Sequence, residues 1–151
     1  MKDGINHLTA EPKTILFSRT NMDKNNRDLS LKNIRPSIPM IIEEAATSPE
    51  ERFQNTCLRP ILKFQNDLLI GVFKSYLALR KGKFYTLSKP KKLEYIEDTI
   101  RKDLKFKNLL IGIVVGQFTV EEWEVYHCHE RELRKRVTGL LVQRIQSFYN
   151  E

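Results

Sequence analysis

The stretch NLLIGIVVGQFTV, Asn108 to Val120, decides the fold. It carries no charge in a chain that is 30% charged. Dense charge on both sides marks it as the buried centre. At thirteen residues it is too short to span a bilayer, which needs roughly 20 apolar residues. It reads as the central helix of an all-α domain, with Leu109, Ile113, Val114, Phe118 and, from another helix, Leu69 in the core.

Helical signals continue on both sides. Asp103 is placed to cap the central helix, expected over Leu104 to Phe118. Gly112 and Gly116, four apart, make a smooth face for another helix to approach. Thr119-Val120-Glu121-Glu122 has the pattern of a capping box, opening a helix with Trp123 and Tyr126. A last amphipathic helix carries Leu133, Val137, Leu140, Leu141, Ile145 and Phe148. HCHERE, His127 to Glu132, holds neither Gly nor Pro, so one helix or two remains open there.

Upstream, Ser48-Pro49-Glu50-Glu51 is a second start signal, with Ser48 as cap, Pro49 at the first helical position and Glu51 expected to complete a capping box. Pro60 must kink or split the helix that follows near Arg59, because it lacks an N–H and clashes with the preceding turn. Beyond it two stripes recur at helical period: Ile61, Phe64, Leu68, Val72, Tyr76, and Leu62, Leu69, Phe73, Leu77. Gly82 is a natural stop. Ser88 and Pro90 start a helix whose stripe is Leu93, Ile96 and Ile100. No run alternates usefully at period two. The expectation is a single compact bundle of about five helices over residues 48–151, with an irregular N-terminal arm over 1–47. Within the arm, RDLSLKNIRPSIPMII is expected to dock as an extended strap anchored by Leu29, Leu31 and Ile34.

Composition bounds the function. At 151 residues a single domain buries an adequate core without staples. The N-terminus has no apolar segment of signal-peptide length, and Cys57 and Cys128 lie far apart, so a cytoplasmic protein with reduced thiols is expected. The net charge is +7. Residues 1–48 hold seven Lys/Arg against six Asp/Glu, and the rest nineteen against thirteen, so the excess lies on the folded part. A basic surface suits polyanions: RNA, DNA or an acidic protein.

Four constellations bear on chemistry. His127-Cys128-His129 offers metal-capable groups, but neighbours on a helix point about 100° apart, and zinc needs converging ligands. Glu121, Glu122 and Glu124 are explained by the preference of a helix N-terminus for carboxylates. A helix-turn-helix across Gly116 to Val137 would put those glutamates against phosphates. The strongest lead is RKGKFYTLSKPKK: Arg80, Lys81, Lys83, Lys89, Lys91 and Lys92 with Phe84 and Tyr85 among them and no acid. Cations track phosphates and rings stack on bases. The bland alternative is a solvated turn pinned to the core by Phe84, Tyr85 and Leu87. No Gly-rich phosphate loop, nucleophile elbow or CxxC is present, so no catalytic, cofactor or metal residue is assigned.

RDLSLKNIRPSI, ERFQNTCLRPILKFQNDLL and IGIVVGQFTVEEWEVY together resemble a family of short helical Bacteroidetes proteins that automated labels often call "glyoxalase". The likeness runs from about Arg27 to the C-terminus. It implies a helical fold. Its label implies a lyase acting on a small metabolite, and no catalytic residues carry over to this chain. Short relatives begin near the position of Met22, which implies that residues 1–21 are dispensable. The leading expectation is a non-enzymatic binding or regulatory protein contacting nucleic acid or a nucleoprotein particle through the basic turn. The alternatives are the glyoxalase-type lyase and a protein–protein adaptor using Trp123 and Tyr126.

Overall fold

The structure is a computed structural model, and it describes residues 26–39 and 48–151. The expectations for residues 1–21, and for the strap beyond residue 39, lie outside the described residues. Those described are mostly helical, with no strand among them. Helix α1 covers residues 26–33. There follow α2 (Pro49–Phe53), a π-helical turn (Gln54–Leu58), α3 (Arg59–Phe64), α4 (Asn66–Ala78), a 3-10 turn (Lys83–Thr86), α5 (Lys89–Lys102), α6 (Leu104–Val115), α7 (Val120–Cys128) and α8 (Glu130–Asn150). The all-α bundle expected from the sequence is what forms, with more helices than five. Among the described residues no helix is long and apolar enough to cross a membrane.

The extra helices come from breaks in long helical stretches. Near Pro60 the stretch divides as expected, through a wide π-helical turn that gives way to α3 at Arg59. The Arg59 N–H reaches back to Gln54 O, five residues away. The next donor on that ladder would be residue 60, which as proline has none, so the wide turn absorbs a gap the α-ladder cannot close. A second break falls at Gln65 (φ −89°, ψ 6°). A third falls at His129 (φ −117°, ψ 25°), which makes α7 and α8 two helices without Gly or Pro.

Side-chain caps form at Ser48, Asp103 and Thr119, but Glu51 does not complete a box at Ser48 and Ser88 makes no cap bond among the described residues. Ser48 Oγ accepts from Glu51 N–H and an Asp103 carboxylate oxygen from Phe106 N–H. At Thr119 both halves of the box are made: Glu122 N–H to Thr119 Oγ1 (3.2 Å) and Thr119 N–H to Glu122 Oε2 (2.8 Å). Lys81 (φ 56°) and Gly82 (φ 69°) turn the chain left-handed after α4. That conformation is cheap only for the glycine.

Helix α8 is the hub, with α3, α4, α5, α6 and α7 packed on it. Its stripe Leu133, Val137, Leu141 and Ile145 is fully buried, and the end of the stripe, Phe148, is not. Of the two stripes after Pro60, Leu62, Leu69, Phe73 and Leu77 form the core, while Phe64 and Leu68 face out. The central segment is also half right. Val114 and Phe118 are buried and Ile113 packs against the core from its edge. Leu109 is 52% exposed, because the buried face of α6 runs through Phe106, Leu110, Ile111 and Val114. Among the described residues nothing lies within 4 Å of where a Gly112 side chain would begin, so none of the described helices approaches the smooth face there.

The arm needs the largest correction. Residues 26–33 form a helix rather than an extended strap, and of the three expected apolar anchors Leu29 and Ile34 are exposed while only Leu31 is partly buried. Charged side chains dock it instead, on the turn between α6 and α7. Arg27 donates to Phe118 O (2.9 Å) and Gly116 O (3.2 Å). The Asp28 carboxylate accepts from Val120 N–H, one of the free donors at the start of α7. Arg35 donates to Gln117 O (2.5 Å) and makes a two-pronged ion pair with Glu122 (2.6 and 2.8 Å).

Candidate functional site

The basic run begins where α4 ends and crosses to the C-terminal end of α8. Phe84 in the 3-10 turn packs edge-on against Tyr149 of α8 (4.9 Å) and Phe73 of α4 (5.9 Å). Lys89 at the start of α5 donates to Asn150 O (2.6 Å). Apolar packing thus fixes the backbone of the turn, and its lysines are carried outward.

The eight candidate residues divide. Phe84 is 2% exposed and belongs to the core, so it is no stacking platform; the pinning read as the bland alternative holds for this residue. Tyr85 is 56% exposed. Arg80 is committed: its guanidinium lies 3.4 Å over the Tyr76 ring and pairs with Asp103 (3.1 Å). Burial and the Asp103 hydrogen bond push the Tyr76 hydroxyl up to about 12. Lys92 sits 5.7 Å from the Phe84 ring centre. Lys81, Lys83 and Lys91 are exposed and form no ion pair among the described residues. Of these only Lys91 lines a groove of about 480 Å³, together with Tyr76, Leu87, Tyr95, Lys102 and Asp103, with Glu94 and Asp98 on its α5 wall.

The remaining constellations are placed as follows. His127 stacks on Trp123 (5.7 Å, 21°), Cys128 is exposed, and His129 Nδ1 reaches Glu50 (3.1 Å). Among the described residues no three His, Cys, Asp or Glu side chains gather to hold a metal ion. Trp123 is 45% exposed, but its companion Tyr126 is buried, so the adaptor surface shrinks to Trp123 and its exposed neighbours on α7.

Sequence reasoning missed a cleft of about 570 Å³ between the arm and the π-helical turn, lined by Lys32, Arg35, Ile38, Asn55, Pro60 and Glu122. Burial alone would raise the Glu122 carboxyl, but Arg35 and the Thr119 N–H outweigh it and hold the carboxyl below its usual range. Burial and the neighbouring Glu122 carboxylate push the Cys57 thiol well up, so it stays protonated. Arg35 and Glu122 pair with each other across this cleft, and among the described residues Arg35 Nε has no partner. Pro60 was the signal in the sequence, because a proline inside a helix forces a local departure from the α-ladder.

Comparison of the chain with protein-family models, with curated protein sequences and with solved structures finds no match.

Proposed function

We propose that this is a cytoplasmic, non-catalytic binding protein that contacts nucleic acid through the basic turn between α4 and α5. The observation that carries the reading is a run of fourteen residues, 79–92, with six cations and no acid, in which only Arg80 is tied to a carboxylate among the described residues. Lys81, Lys83 and Lys91 are free to meet phosphates, and the open Tyr85 ring supplies one stacking face. The turn is held from behind by Phe84, so its charge is presented by a fixed backbone. Fixing a site before binding lowers the ordering cost of association.

The test is a titration of single-stranded RNA and DNA at two salt concentrations. Binding through phosphates releases counterions, so affinity is expected to fall steeply with salt. The triple substitution Lys81→Glu, Lys83→Glu, Lys91→Glu is expected to abolish binding and leave the helical signal unchanged. Binding indifferent to salt and to the triple change removes this reading.

A further inference from the structure

A second cationic feature is built from residues outside the basic turn. Arg59, the first residue of α3, and Arg144 of α8 line one small groove of about 280 Å³ together with Leu62, Leu140, Gln143 and Ser147. No carboxylate lines it. Among the described residues neither guanidinium forms an ion pair with a carboxylate. The groove continues into a larger compartment of about 360 Å³ that shares Arg144 and Ser147. Its walls include Lys63, Asn66 and two half-exposed rings, Phe64 and Phe148, with Asp67 and Glu151 also in its lining.

The arrangement is costly as it stands. Two like charges in one groove repel, and partial burial strips water from the inner one. Burial first, then the nearby Arg59 charge, pulls the Arg144 guanidinium below its usual range. Proteins offset such costs with an anion. Guanidiniums present planar forks of donors that match the oxygens of a phosphate. The π-helical turn contributes to the geometry: with it, Leu58, Ile61 and Leu62 all reach the core while Arg59 between them is carried to the α8 side.

We propose that the groove between α3 and the C-terminal half of α8 binds a nucleotide, with Arg59 and Arg144 holding its phosphate and the Phe64 and Phe148 rings receiving its base. The Gln143 amide adds a neutral donor beside the two cations. The ligand chemistry is a phosphate joined to an aromatic heterocycle, which a free nucleotide and a nucleic-acid strand share. The groove is separate from the basic turn, so this site stands or falls apart from the proposed function.

Three probes are titrated calorimetrically into the full chain: inorganic phosphate, AMP and a single-stranded oligothymidylate. AMP is expected to bind about tenfold or more tightly than phosphate, since ring stacking adds to the charge contact. The double change Arg59→Gln, Arg144→Gln is expected to weaken AMP about tenfold or more, and the triple lysine change in the turn to leave it unaltered. Oligothymidylate affinity that falls with the arginine change assigns the groove to a strand; affinity that does not, with AMP still sensitive, assigns it to a free nucleotide. No AMP binding, equal affinity for AMP and phosphate, or indifference to the arginine change overturns the proposal. Oligonucleotide binding that responds only to the turn lysines, with AMP silent, sinks the groove and leaves the turn intact. Folding is controlled by melting the ligand-free double variant. It is expected to melt no lower than the parent, and a fall of several degrees would make the arginines structural and overturn the assignment.

Discussion

Arg35 and Arg144 are both arginines drawn off the open surface, in opposite surroundings. Arg35 faces Glu122 with two hydrogen bonds and spends a third on Gln117 O. Arg144 faces Arg59 and, among the described residues, pairs with no carboxylate. The first joins three parts of the chain: the arm, the end of α6 and the start of α7. Among the described residues the second pairs with no carboxylate and ties no elements together. A charge held by a carboxylate and a carbonyl is explained by architecture, whereas the one beside a like charge is the one we assign to a ligand.

The sharpest way to break this contrast is to remove the clasp. Arg35→Ala leaves the Glu122 carboxylate desolvated without its counter-charge and strips Gln117 O of its donor. Breaking a buried pair from one side costs about 3–5 kcal/mol. Urea unfolding followed by circular dichroism is expected to show a loss of this order, with the midpoint shifted to lower urea. An unchanged midpoint would mean the arm is decoration.

A smaller effect comes from pH. The Glu122 carboxyl lies below its ordinary value in the folded chain, so its contribution is fully present above its unfolded value, about 4.3. It is lost as pH falls through the depressed folded value. Stability of the parent is therefore expected to decline on acidification below about pH 5, with Glu122→Gln showing a shallower decline. Equal slopes in the two proteins would place the acid sensitivity elsewhere. The smallest effect tests the cap beneath the pair. Thr119→Ala removes the hydroxyl that receives Glu122 N–H and is expected to cost about 1 kcal/mol, read as a modest drop in melting temperature.

The clasp and the groove were legible in the sequence to different degrees. The Thr119–Glu122 box was readable, because capping is local and its partners lie three residues apart. The Glu122 pairing with Arg35 was not, because the two residues are 87 positions apart and no periodicity links them. Leucines were expected to hold the arm, because apolar burial is the usual anchor. The hydrogen-bonding groups left over at two helix ends, the carbonyls at 116–118 and the Val120 N–H, attract charge instead. Phe84 shows the complementary limit. The sequence left it open between a stacking ring and a pin to the core, and the convergence of Phe73, Tyr95 and Tyr149 decides for the core. Arg59 and Arg144 lie 85 residues apart on helices whose stripes were read for their apolar sides, so a site built from two polar sides carried no sequence signature.

Side-by-side thermal melts of Arg35→Gln and Arg144→Gln, ligand-free and at neutral pH, test the contrast most directly. Arg35→Gln is expected to melt on the order of 10 °C below the parent, as a loss of a few kcal/mol implies for a chain of this size. Arg144→Gln is expected to melt at or slightly above the parent, because the change relieves repulsion and breaks no ion pair among the described residues. An Arg144→Gln protein that loses as much stability as Arg35→Gln would contradict the division of the two arginines into one that builds the fold and one that waits for a ligand.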